Sequence, residues 1–113
     1  MRVYLCGPMS GLPNLNREQF LAAANDLRDL GLDVYNPAEQ RAPEDPWALY
    51  MRQNIRELMS CQAVALLPGW EFSRGARIKT FLATTVDIPL YTWKDIRGLP
   101  LDADRIGRVG DAR

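Results

Sequence analysis

The sequence predicts a three-layer α/β sandwich built on a parallel sheet of four or five strands, and two patterns carry that prediction. Short runs of strand-forming residues alternate along the chain with helix-length amphipathic stretches, joined by loops rich in glycine and proline. The run AVALL (63–67) has no alternation of polar and apolar positions, as expected of a central parallel strand buried on both faces. Right-handed crossovers are expected, with 2-1-3-4 as the expected strand order.

The elements follow in order. RVYLC (2–6) is the first strand, and GPMSGLPN is a glycine and proline loop after it. Asn16 reads as the N-cap of a helix with Glu18 and Gln19 in its first turn, Phe20, Ala24, Leu27 and Leu30 at helical spacing, and Gly31 as the stop. LDVYN (32–36) is the second strand, followed by the polar loop PAEQRAPED. Asp45 and Pro46 form a cap and first-turn pair for a second helix, whose Trp47, Met51, Ile55, Leu58 and Met59 make one apolar stripe expected in the core. After the strand at 63–67, Ser73 caps a third helix that runs to about Thr85 or Val86, and IPLYTW (88–93) supplies the fourth strand. Residues 1–93 therefore read as one domain, and 94–113 as a polar tail or oligomerisation arm.

At 113 residues the chain is long enough for one compact core and too short for two ordinary domains. Its 14 basic and 14 acidic side chains give no net charge, which argues against a general nucleic-acid binder. The first nine residues hold one basic side chain and only a short apolar run, so neither a signal peptide nor a membrane span is expected, and the location reads as cytoplasmic. Histidine is absent from the chain, which removes imidazole triads and the commonest metal ligand. No metal and no cofactor is expected. Cys6 and Cys61 suit reduced thiols that fill the core; Tyr4 and Cys6, two apart on the first strand, point to one face together.

In the order 2-1-3-4 the chain reverses its direction of growth between strands 1 and 3, and ligands of such sheets sit beyond the carboxyl ends of the strands at that point. This brings GPMSG, after strand 1, beside PGWEFSRG, after strand 3. Ser73, Arg74 and Gly75 open a helix whose free main-chain N–H groups favour an anion, and Gly7, Pro8, Met9, Ser10 and Gly11 face them. Trp70 either stacks on a base or sugar or covers the end of the sheet. Arg74 and Arg77 either meet phosphate or stay solvated.

VYLCGPMSGLPNLNREQF, YNPAE and ALLPGWEFSRGA, in this order across residues 2–92, resemble a largely phage-associated and bacterial family, the domain of unknown function numbered 4406. That family is similar in turn to nucleoside 2-deoxyribosyltransferases and 2'-deoxynucleoside 5'-monophosphate N-hydrolases. The resemblance implies a Rossmann-like or flavodoxin-like fold, a nucleoside or nucleotide ligand, and homodimers or higher homo-oligomers in which a neighbour completes the site. It also implies a glutamate nucleophile four residues after a motif glycine and four before an alanine, which displaces the base from the anomeric carbon. Counted from Gly75 and back from Ala83, that position is Lys79.

The substitution reverses the sign of the charge where the transition state becomes cationic. A cation about 4 Å from the sugar opposes it by on the order of 4 kcal/mol at an effective dielectric near 20, roughly a thousandfold in rate. Glu71, in the loop at the carboxyl end of strand 3, is the obvious replacement carboxylate, with Glu39 and Asp45 more distant. Lys79 either reaches back over Gly75 to add charge to the anion site or lies on the surface beside Arg77. The sequence thus leaves three readings: a binder of (deoxy)nucleoside 5'-monophosphates with N-glycosidic cleavage weak or lost, a non-catalytic nucleotide sensor, and a structural or partner-binding module. The PGGxGTxxE signature of phosphoribohydrolases of the lysine-decarboxylase-like type is only half met by PGWEFSRGARIK.

Overall fold

The computed structural model describes residues 1–40 and 46–99. Four strands, β1 (Arg2–Cys6), β2 (Asp33–Tyr35), β3 (Ala63–Leu66) and β4 (Leu90–Thr92), form one sheet in the order β2-β1-β3-β4, with every pairing parallel. The helices α1 (Arg17–Asp29), α2 (Trp47–Met59), α3 (Arg74–Thr85) and α4 (Trp93–Gly98) complete an α/β sandwich of the predicted topology.

Alternation along β1 divides the core between the two faces of the sheet. Val3 and Leu5 join Phe20, Leu27 and Ile96 in one cluster, which α1 and α4 cover. Tyr4 and Cys6 join Leu58, Ala76 and Ala83 in the other, under α2 and α3. Every residue of β3 is buried, as its unbroken apolar run requires. Both cysteines are buried free thiols, each pushed up to about 11 by the loss of water around it.

Three elements differ from expectation. Asn16 stands at the start of α1, but its side chain does not cap the helix. The chain turns left-handed through Asn14, Leu15 and Asn16, at φ 51°, 54° and 60°, and the Asn16 amide donates back to Pro8 O at 3.0 Å and forward to Gln19 Oε1 at 2.7 Å. The apolar stripe of α2 is rotated: Met51 and Leu58 are buried, yet Asn54 is the third core position, and Trp47 and Met59 are exposed. Asn54 is accepted there because its Oδ1 takes a hydrogen bond from Tyr35 Oη at 3.0 Å.

The third difference lies past Trp93, where a polar tail was expected. The chain begins that segment as α4, capped by Thr92 Oγ1, which accepts from the Asp95 N–H at 3.1 Å. Ile96 inserts into the core, and Arg97 lies 4.9 Å from the Trp93 ring centroid and 3.6 Å from Asp26 of α1. One buried side chain in six residues is too weak a periodic signal to reveal a helix in sequence. The tail beyond Leu99, like the predicted cap Asp45, lies outside the described residues.

Arg28 of α1 forks onto Glu39, with nitrogen–oxygen distances of 2.6 and 2.7 Å, and also donates to Val34 O at 2.9 Å. Both side chains of this ion pair are more than a third exposed, so solvent screens it, and Glu39→Gln is expected to cost less than about 1 kcal/mol at pH 7. The hydrogen bonds from Arg28 hold the Glu39 carboxyl below its ordinary value of 4.5. The stabilisation is thus present above pH 4.5 and disappears as pH falls through the lowered value, so urea titrations of the two proteins should converge in acid.

Candidate functional site

The site forms where β1 and β3 lie side by side. Their registered ends, Cys6 and Leu66, place Gly7 against Leu67, whose N–H donates to Cys6 O at 2.8 Å. A Cβ on Gly7 would stand 2.8 Å from Leu67 Cβ, so only glycine lets the two loops leave the sheet this closely. Gly69, at φ 86°, then turns the second loop into the short helical segment Trp70–Phe72 and on to α3.

Between the loops lies a cleft of about 670 Å³. Pro8 and Ser10 line it from the first loop, and Gly69, Phe72 and the start of α3 from Ser73 to Gly75 line it from the second. Trp47, at the first turn of α2, forms a further wall and carries the Arg74 guanidinium 4.7 Å from its ring centroid. Ser73 is the N-cap of α3, its Oγ accepting the Ala76 N–H at 3.2 Å. The hydroxyl proton remains free to point into the cleft. Ser73→Ala should therefore lower stability by about 1 kcal/mol through the lost cap, measurable by thermal melting.

A smaller hollow of about 60 Å³ shares Ser10, Trp47, Ser73 and Gly75 with the cleft, and Lys79 lines it. Lys79 is only 6% exposed, which excludes the surface placement beside Arg77. Its Nζ lies 5.3 Å from the centroid of the Tyr4 ring. Among the described residues the amine has no ion pair and no hydrogen-bond acceptor. Burial lowers its pKa from 10.5; the nearby Cys6 thiol opposes this weakly.

The other candidates separate into those at the cleft and those away from it. Gly7 and Met9 line the smaller hollow, with Ser10 common to both cavities. Gly11 lines neither and serves the turn, at φ 81°. Trp70 packs against the core cluster under α3 instead of facing the cleft, and Arg77 is exposed. Glu71 is exposed and lines neither cavity, while Glu39 is held by Arg28. Among the described residues, no carboxylate lines either cavity.

Sequence reasoning missed Trp47 and Tyr50, which lines the smaller hollow. The signal was available: in a parallel sheet every loop from strand to helix leaves at the carboxyl edge, so the first turn of α2 stands beside the site as α3 does. Leu15 also reaches the smaller hollow, carried there by the left-handed turn. No periodicity announces that turn.

The family model described as Domain of unknown function (DUF4406) matches residues 1–92, and the chain belongs to that family. A comparison with curated proteins gives no match.

Proposed function

We propose that the cleft binds a (deoxy)nucleoside 5'-monophosphate and holds it without cleaving the N-glycosidic bond. The observation that carries this reading is Lys79, a nearly buried amine with no carboxylate beside it, in a hollow that shares Ser10, Trp47, Ser73 and Gly75 with a cleft opened by a helix N-terminus. The N–H groups of the first turn of α3 and the Ser73 hydroxyl receive the phosphate, and Lys79 adds its charge from the adjoining hollow. Gly75 keeps that turn open to close approach. Trp47 offers a ring face to the base.

Cleavage needs an anionic group against the developing oxocarbenium ion, and the charge at the position of the expected nucleophile is positive. Glu71, exposed and outside the linings, is poorly placed to compensate.

Calorimetric titration with the four deoxynucleoside 5'-monophosphates, their nucleosides and inorganic phosphate tests the proposal, with chromatography of the same mixtures. Monophosphates are expected to bind at least about tenfold more tightly than nucleosides, the worth of one charge-assisted hydrogen bond, with no free base. Equal affinity for nucleosides would overturn the phosphate role. Base release in proportion to protein, abolished by Glu71→Gln, would restore glycosidic cleavage.

A further inference from the structure

We infer that Lys79 is an imine-forming amine, and that the cleft accepts a small aldehyde or ketone carrying an anionic group. The inference rests on the anion seat of the preceding reading but not on a nucleotide being its occupant.

Three observations converge on it. The amine lines a hollow that shares Ser10, Trp47, Ser73 and Gly75 with a cleft large enough for a small metabolite, so a carbonyl group held between these residues lies on the side of Nζ. It is withdrawn from water over the Tyr4 ring, with no carboxylate among the described residues to hold its proton. A desolvated lysine of this kind gives up its proton more readily, and the neutral amine is the nucleophile. Finally, the chain contains only two lysines, Lys79 and Lys94, against twelve arginines. The buried position thus carries the cation that can be neutralised, whereas a guanidinium there would stay charged.

The spacing fixes the kind of substrate. Lys79 lies five residues along α3 from Arg74, roughly 7 Å along the axis, and its side chain leans back toward the N-terminus. A carbonyl within a few carbons of a phosphate seated at the first turn therefore reaches the amine. The Nζ lone pair adds to the carbonyl carbon, and one proton passes from the nitrogen to the carbonyl oxygen to give a carbinolamine. The hydroxyl then leaves as water and the C=N bond forms, so one amine and one carbonyl become one imine and one water, without oxidation or reduction.

The titratable groups facing the amine are Tyr4 and Cys6 of β1 and Tyr50 of α2. Burial pushes all three up, so they remain neutral at pH 7. The Tyr50 hydroxyl is held by Pro37 O at 2.8 Å.

The test is trapping of the wild-type protein by glyceraldehyde 3-phosphate and sodium cyanoborohydride, with peptide mass spectrometry. Exposed Lys94 and the Met1 amine serve as controls in the same molecule. The expected result is an adduct on Lys79 at least tenfold faster than on Lys94, slower with unphosphorylated glyceraldehyde, and persisting to lower pH than the Lys94 adduct. Equal or slower labelling of Lys79 would overturn the inference, as would a phosphorylated aldehyde with no advantage. Comparing two lysines within one folded protein removes any dependence on a variant folding. Nucleotide binding without a Lys79 adduct would sink this inference alone; an adduct without nucleotide binding would sink the nucleotide reading alone.

Discussion

Lys79→Met is expected to weaken binding of a nucleoside monophosphate and, at the same time, to stabilise the protein. A charge-assisted hydrogen bond is worth about 1.5–3 kcal/mol, so affinity should fall roughly 10- to 100-fold. Methionine follows the path of the lysine stem along the Tyr4 ring and leaves no charge in the core. Removing a functional group that the fold tolerates poorly commonly stabilises by on the order of 1 kcal/mol.

The sign of the pH dependence follows from the lowered pKa of Lys79, caused first by burial. Between that value and the unfolded value of 10.5 the unfolded chain binds more protons, so wild-type stability rises with pH across this window. Below the window the full cost of burying the charge is present. The advantage of the methionine variant is thus largest below the lowered value and shrinks as pH rises toward 10.5. Thermal melts across this window and calorimetry at pH 7 check both halves. A variant that melted lower yet bound normally would remove Lys79 from the site.

Gly7→Ala should destabilise the fold and disable the cleft together. The added Cβ would sit 2.8 Å from Leu67 Cβ and 3.2 Å from its Cδ1. Because Leu67 Cβ is fixed to its backbone, a rotamer change cannot clear the clash, and the two loops must part. Overpacking of this kind costs about 1–3 kcal/mol, and each kcal/mol lowers the melting temperature of a domain this size by roughly 4–8 °C. Gly98→Ala is the matched control, since a Cβ there meets nothing within 4 Å. Its melting temperature should stay within a few degrees of the parent, as surface substitutions away from special features do. Comparable losses in both variants would show that the tight passage at Gly7 does not matter.

Much of the site could be read before folding because the signals were local. Ser73 is a helix cap in sequence and in structure, and Gly7 sits where strand gives way to loop. The alternation of strands and helices pointed to a parallel sheet, and the structure has the expected order β2-β1-β3-β4, which places the two loops side by side. Trp47 escaped because an aromatic at helical spacing from Met51 looks like core, while only the rotation of α2 on the sheet decides which neighbours are covered. It is 37% exposed, and the buried place goes to Asn54.

By itself, then, the sequence determined the sheet, the switch point and the presence of a lysine where the resemblance implies a glutamate. These follow from periodicity, turn chemistry and counting, all of which act over a few residues. Only the tertiary structure decided that Lys79 turns inward over Tyr4 while Glu71 stays exposed outside the cleft. The direction of a side chain depends on how its helix or loop is rotated against the sheet, and packing among residues distant in sequence sets that rotation.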